Sequence, residues 1–226
     1  MVVSTRNTKR DSASRSHLLY PDEEWRSALQ DIADHPELHR PTVHYAKEDF
    51  VLVKDQKPRA SVHLLLLPRD KSKYELHPLT AYSDPAFRAK VEAEIQVAKQ
   101  VAAKELQELY EKTASADRDW KADIRAGFHV APSMNHLHIH VISTDFCNTT
   151  AKQWTGREYL AMGTEFFTSP DELPLSSADP RQKRDKALLD GGELVCWRCR
   201  ENFGQQTNWT TFKKHLDEEV EVWKTL

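Results

Sequence analysis

Phe128-His-Val-Ala-Pro-Ser-Met-Asn-His-Leu-His-Ile-His-Val-Ile-Ser143 is the stretch from which the rest of the chain is best read. Four of the 11 histidines fall in it: His129, His136, His138 and His140. The last three alternate with Leu137, Ile139 and Val141. Successive side chains of a β-strand point to opposite faces. The pattern therefore predicts a half-buried strand over 136–142, with imidazoles on one face and aliphatic chains on the other. Solvent faces of strands are normally filled by Lys, Glu and Thr, so a row of imidazoles suggests chemistry. Two chemistries fit: metal ligation from alternate positions, or nucleophilic catalysis in which one ring attacks and its neighbours orient it. Pro132-Ser133-Met134-Asn135, small and polar where the chain turns into the strand, favours the second. A hydroxyl and turn amides beside imidazoles make a cradle for an anion such as phosphate.

Working outward, residues 124–130 read as a further strand. Residues 85–112 give the strongest helical signal, with Phe87, Val91, Ile95, Ala98, Ala102, Leu106 and Leu109 at i, i+3/i+4 spacing. Upstream, 43–55 holds one or two strands, 55–59 is a turn by its Pro, and 62–67 is a strand buried on both faces that Pro68 stops. A helix is predicted from Tyr20, with Pro21 and acids in its first turn and Trp25, Leu29 and Ile32 at helical spacing. Residues 1–17, rich in Ser, Thr, Lys and Arg, read as a disordered, mildly basic tail. Antiparallel strands with one long helix make the domain α+β.

The chain has 226 residues, 39% hydrophobic and 30% charged, which suits one ordinary domain plus a small appendage. No apolar run approaches membrane-spanning length, and the N-terminal residues lack the apolar core of a secretory signal. A net charge of −3 argues against a uniformly basic nucleic-acid binder but leaves room for a local basic groove. Three cysteines do not make a disulfide framework, which points to a reducing compartment. Two of them form Cys196-Trp-Arg-Cys199, with His215 sixteen positions further on a helix, close to the spacing of a Cys₂His₂ finger. Where the fourth histidine would stand there is Glu219, on the same helix face as His215. Carboxylate oxygen ligates zinc, so the expected site is Cys196, Cys199, His215 and Glu219 around one structural ion, with Glu218 the next nearest acid. Phe203, Phe212 and Leu216 would form the small core that needs the metal. A thioredoxin-like redox role fits poorly, because no strand–helix pattern surrounds the cysteines.

His136-Leu-His-Ile-His-Val-Ile142 resembles the signature of the histidine triad (HIT) superfamily. Residues 127–146 and Lys54-Asp-Gln-Lys-Pro-Arg-Ala-Ser-Val-His-Leu-Leu-Leu-Leu-Pro68 resemble, more closely, the aprataxin family within it. The resemblance covers roughly residues 20–226 but includes no forkhead-associated domain. It implies a HIT-type antiparallel sheet with a long helix over 18–168, a basic connection over 169–193 and a zinc finger over 194–226. It also implies a DNA repair hydrolase that removes AMP from 5′-adenylated nicks and breaks, releasing AMP and a 5′-phosphate. His138 would attack the AMP phosphorus, His136 and His140 would contact phosphate or position the ring, and His129 would be the acid. Asp55 would take the ribose hydroxyls with Arg59 in support, and Ser133, Met134 and Ser143 would line the nucleotide phosphates. Lys152, Trp25 and Lys213 are the expected DNA contacts. His63 reads as a satisfied histidine in a buried strand. The expected setting is a nuclear, secondarily cytoplasmic, monomer away from membranes, with no metal required at the hydrolytic step. Two other functions compete. One is a HIT hydrolase or phosphoramidase acting on small adenylated molecules, for which the finger would be superfluous. The other is a zinc-finger adaptor with a vestigial triad, against which the intact histidines argue.

Overall fold

A computed structural model describes residues 24–146, 155–163 and 166–226. The expected basic tail and Lys152 lie outside the described residues. Strands β1 (Val43–Ala46), β2 (Phe50–Lys54), β3 (His63–Pro68), β4 (Ile124–His129), β5 (Ile139–Ser143) and β6 (Phe167–Thr168) form one antiparallel sheet in the order β1-β2-β3-β5-β4-β6. Helix α1 (Glu24–Asp34) precedes it, and the short α2 (Pro78–Ala81) and long α3 (Pro85–Tyr110) connect β3 to β4. The short helix α4 (Gly156–Gly163) lies between β5 and β6. Strands β7 (Glu193–Val195) and β8 (Asn202–Gln205) pair as a separate hairpin ahead of helix α5 (Trp209–Trp223). No helix among the described residues is long and apolar enough to cross a membrane.

Helix α3 is stopped at its start by Asp84, whose side chain accepts from the Ala86 and Phe87 amides ahead of Pro85 at the first helical position. It buries Phe87, Val91, Ile95, Ala98, Ala102 and Leu106 against one face of the sheet, where Leu52, Leu64, Leu66, Phe128, Ile139 and Val141 point. Each large side chain so buried contributes about 1.5–3 kcal/mol, which fixes the sheet's orientation. Leu109, expected on that face, is 55% exposed, and Tyr110, four positions after Leu106, packs against the core in its place.

The opposite face carries two smaller cores rather than one. Leu29, Ile32 and Ala33 of α1 pack on Val51, Val53, Leu65, Leu67 and Tyr74. Further along, Val130, Ile142 and Phe167 join Tyr159 and Leu160 of α4 and Leu194, Phe212 and Leu216 of the C-terminal hairpin and helix. The histidines lie on this face, at the seam between the two cores.

Two features tie the C-terminal part to the main domain. Trp223 is buried in the α3 core, its Nε1 donating to Asp123 Oδ1 at 3.1 Å. The Arg118 guanidinium lies 4.3 Å from its ring and donates to its backbone carbonyl. Within 169–193, three short 3-10 turns follow one another, and Arg181 is buried there between Asp179 and Glu172.

Candidate active site and zinc centre

The strand predicted over 136–142 starts only at Ile139, with His136 in a bend ahead of it. Just before it, His138 Nδ1 turns back onto the His136 carbonyl at 2.7 Å. Residues 139–143 then pair with both neighbours, placing His140 between Leu65 and Gly127. A Cβ at Gly127 would stand 2.5 Å from the Phe167 ring and 2.6 Å from the Thr168 carbonyl, so only glycine lets β6 close over this end of the site.

Backbone partners assign the tautomers of three rings, and through one of them that of a fourth, because a carbonyl can only accept and an amide N–H can only donate. His138 Nδ1 carries a proton for the His136 carbonyl, which leaves Nε2 with a free lone pair. His136 donates from Nε2 to the Pro68 carbonyl at 3.0 Å, leaving Nδ1 bare. His63 accepts the Arg59 N–H at Nδ1 (3.2 Å), so its Nε2 holds the proton and donates to His140 Nδ1 at 2.9 Å. His140 is thereby fixed with its proton on Nε2, a buried donor that no group among the described residues takes up. His129 Nε2 is likewise buried and unpartnered among the described residues. Its ring lies 4.4 Å from that of His140, which lies 5.0 Å from His138.

Burial is the main cause that lowers the proton affinity of all five rings. His129 is pushed down to about 3, with His138 and His63 adding to the effect. His136 falls to about 4, partly offset by the Pro68 carbonyl. His138 is lowered against the pull of the His136 carbonyl and Asp55, and His140 lies well below its ordinary value. At neutral pH the cluster is therefore uncharged, which an attacking imidazole requires.

Other expected residues are placed differently. Asp55 takes the Lys57 amide on Oδ1 at 2.7 Å, and its Oδ2 stands 3.4 Å from His63 Nε2, at the edge of the cluster. Asp55, His63 and His140 are near enough to hold a cation, but the tautomers already put a proton between the two rings, so we read them as a relay. Arg59 contributes its amide to His63, while its guanidinium pairs with Glu158 at 2.6 Å. Ser143 corrects the sequence reading. It is fully buried and committed to Val62 and Asp145, so it offers nothing to a phosphate. Ser133 is exposed at the turn, and Met134 packs against the α1 core. Trp25 is partly exposed on α1 with the Arg26 guanidinium 5.4 Å from its ring, and Lys213 faces Asp217 at 3.7 Å. His63 is, as expected, a satisfied histidine in a buried strand, and its Nε2 partner is His140 of the cluster. The signal that could have found that contact is alternation in β3, which puts His63 and Leu65 on one face.

In the C-terminal part, donor atoms of Cys196, Cys199 and His215 lie within 4.8 Å of one another, with Cys199 Sγ 3.2 Å from His215 Nε2. Two thiols and an imidazole at this spacing suit zinc. Glu219 does not join them; its carboxylate is ion-paired with Arg198. Lys183, Arg184 and Lys186 line the turns between the two parts, exposed and, among the described residues, without a carboxylate partner. Arg184 Nη2 reaches Thr80 Oγ1 at 3.1 Å, and His77, capping the same helix α2, donates to the carbonyl of Val130 next to His129.

A sheet bearing these imidazoles beside a Cys-Cys-His cluster defines a histidine triad protein with an appended zinc finger. Residues 26–156 match the family described as "Scavenger mRNA decapping enzyme C-term binding", and residues 163–222 match "C2HE / C2H2 / C2HC zinc-binding finger". The chain is 31% identical to the aprataxin-like protein of Saccharomyces cerevisiae, over 85% of this chain and 94% of that one. To the aprataxin-like protein of Schizosaccharomyces pombe it is 30% identical, over 90% and 85%. The crystal structure of the aprataxin ortholog Hnt3 in complex with DNA superposes with a TM-score of 0.74 at 30% identity, over 88% of this chain and 96% of that one. The chain belongs to the aprataxin family.

Proposed function

We propose that the protein is a DNA repair hydrolase that removes AMP from 5′-adenylated DNA ends. The observation that carries this reading is the His138 tautomer: Nδ1–H is spent on the His136 carbonyl, so Nε2 presents its lone pair from a neutral ring. His138 Nε2 attacks the AMP phosphorus and the bond to the DNA 5′-phosphate breaks, leaving AMP on the imidazole. Water then adds to that phosphorus as the P–N bond breaks, and AMP leaves. His140 Nε2–H is poised to meet a phosphoryl oxygen. His129 is neutral at rest, with Nε2 bare, and serves as an acid only after the anionic substrate has raised its proton affinity. Asp55, at the edge of the cluster, takes the ribose hydroxyls in this reading.

The relatives support DNA as the leaving group, since Hnt3 is seen with DNA and, in a second structure, with DNA and guanosine. Lys183, Arg184 and Lys186, without a carboxylate partner among the described residues, support a surface for phosphates on the His129 side, and Trp25, Lys152 and Lys213 are further candidate contacts. One structural zinc is held by Cys196, Cys199 and His215, with Glu219 completing the set once it leaves Arg198. The setting is the nucleus and the protein acts as a monomer.

The test compares AMP release from 5′-adenylated nicked DNA with release from a small adenylated amine, for the parent and His138→Ala. The DNA should be the better substrate in kcat/KM, and His138→Ala should lose turnover by about 10⁴-fold or more while still binding DNA. Preference for the small amine would assign the protein to the small-molecule hydrolases instead. Undiminished turnover by His138→Ala would overturn the nucleophile assignment.

A further inference from the structure

Helix α4 touches both the histidine cluster and the finger. Toward the cluster, Glu158 Oε1 holds the Arg59 guanidinium while Oε2 accepts the Thr155 amide at 2.8 Å, so one carboxylate caps the helix and anchors the turn before β3. That turn supplies the Arg59 N–H that sets His63, and through it His140.

The remaining side of α4 belongs to the finger. Tyr159 donates its hydroxyl to the Val195 carbonyl at 2.7 Å, and its ring meets Phe212 edge-on with centroids 4.8 Å apart. A Cβ on Gly192 would stand 2.8 Å from Leu160 Cδ1, so the chain entering β7 runs directly over the helix. Gly156 is equally close-packed, with Leu194 and Gln206 3.3 Å from where its Cβ would be. Cys196 is buried in the same core as Leu194, Phe212 and Tyr159. A helix of eight residues has little stability of its own, so packing sets its position. The surface it packs on is a small core of the kind that a bound metal holds together.

We propose that α4 couples the zinc finger to the catalytic histidines, with Glu158 and Tyr159 as positioning residues that hold His63, and through it His140, in their working tautomers. The finger then supports the chemistry even for a substrate too small to touch it. This effect on turnover rests on the hydrolase reading above; the structural coupling does not.

The test follows ring N–H protons by NMR in the full-length, zinc-loaded chain. His138 Nδ1–H, held by the backbone just ahead of β5, is the internal reference. Glu158→Gln and Tyr159→Phe should each speed exchange of the His63 Nε2–H about 3- to 10-fold, the loss of one hydrogen bond. In both variants His138 should be unchanged. Removing zinc with a chelator should reproduce the His63 effect. With the small adenylated amine, kcat should fall by a similar factor at unchanged KM. Unchanged exchange in both variants overturns the coupling. So does a parallel change at His138, which would mean general loosening. If the parent releases AMP from neither substrate, the hydrolase reading fails while the exchange data still decide the coupling.

Discussion

Acidification should weaken this protein by an amount that can be calculated from its buried imidazoles. His129 and His136 bind protons in the folded chain only near 3 and 4, against about 6.5 when unfolded. Between those values the unfolded chain binds more protons, so stability is complete above about 6.5 and is lost as pH falls through the window. From pH 7 to 5.5 a single such ring removes about 1.2 kcal/mol, and the two together about 2.5 kcal/mol. The figure hardly depends on how far below 5.5 the folded value lies. His63, His138 and His140 are shifted in the same direction and add to the loss. The assay is urea unfolding followed by tryptophan fluorescence at both pH values and constant zinc, for the parent and His129→Asn. The variant should be weaker at both, yet its pH 7-to-5.5 difference should be smaller by about 1.2 kcal/mol. Comparing the two chains cancels acid release of zinc from the finger. An equal difference in parent and variant would refute the claim that His129 is buried neutral.

Three further outcomes are expected. His63→Gln frees the His140 tautomer and should lower kcat on adenylated DNA about 5- to 100-fold with little change in KM, measured by AMP release. Gly127→Ala forces a methyl group into Phe167 and the Thr168 carbonyl and should cost about 1–3 kcal/mol in a urea titration. The pair Lys183→Glu and Arg184→Glu should weaken DNA binding and reduce the slope of log affinity against log salt by about 1 to 2, as phosphate contacts are lost. An unchanged slope would place the DNA elsewhere.

The sequence reading succeeded where a local period carried the information. Alternation placed Leu137, Ile139 and Val141 on one face and the histidines on the other, and the helical spacing of α3 was right up to Leu109. It failed where the deciding partner lies far along the chain. Ser143 follows the triad like a phosphate ligand, but Val62 and Asp145 take its hydroxyl. His63 is a satisfied histidine in a buried strand as read, but that its partner is His140 was not legible, because the two lie 77 residues apart. Short-range patterns report which face a residue occupies; strand register and long-range pairing decide what it meets there.

Trp223 has a consequence for the order of assembly. Its indole bonds to a carboxylate 100 positions earlier and fills the core beneath α3. Closing so large a loop is entropically costly and tends to be slow. The sheet and α3 can collapse first, but their core stays incomplete until the last helix docks. Hydrogen exchange in the Asp123 region should therefore gain protection together with α5 during refolding, making the finger the final step in building the domain that it serves.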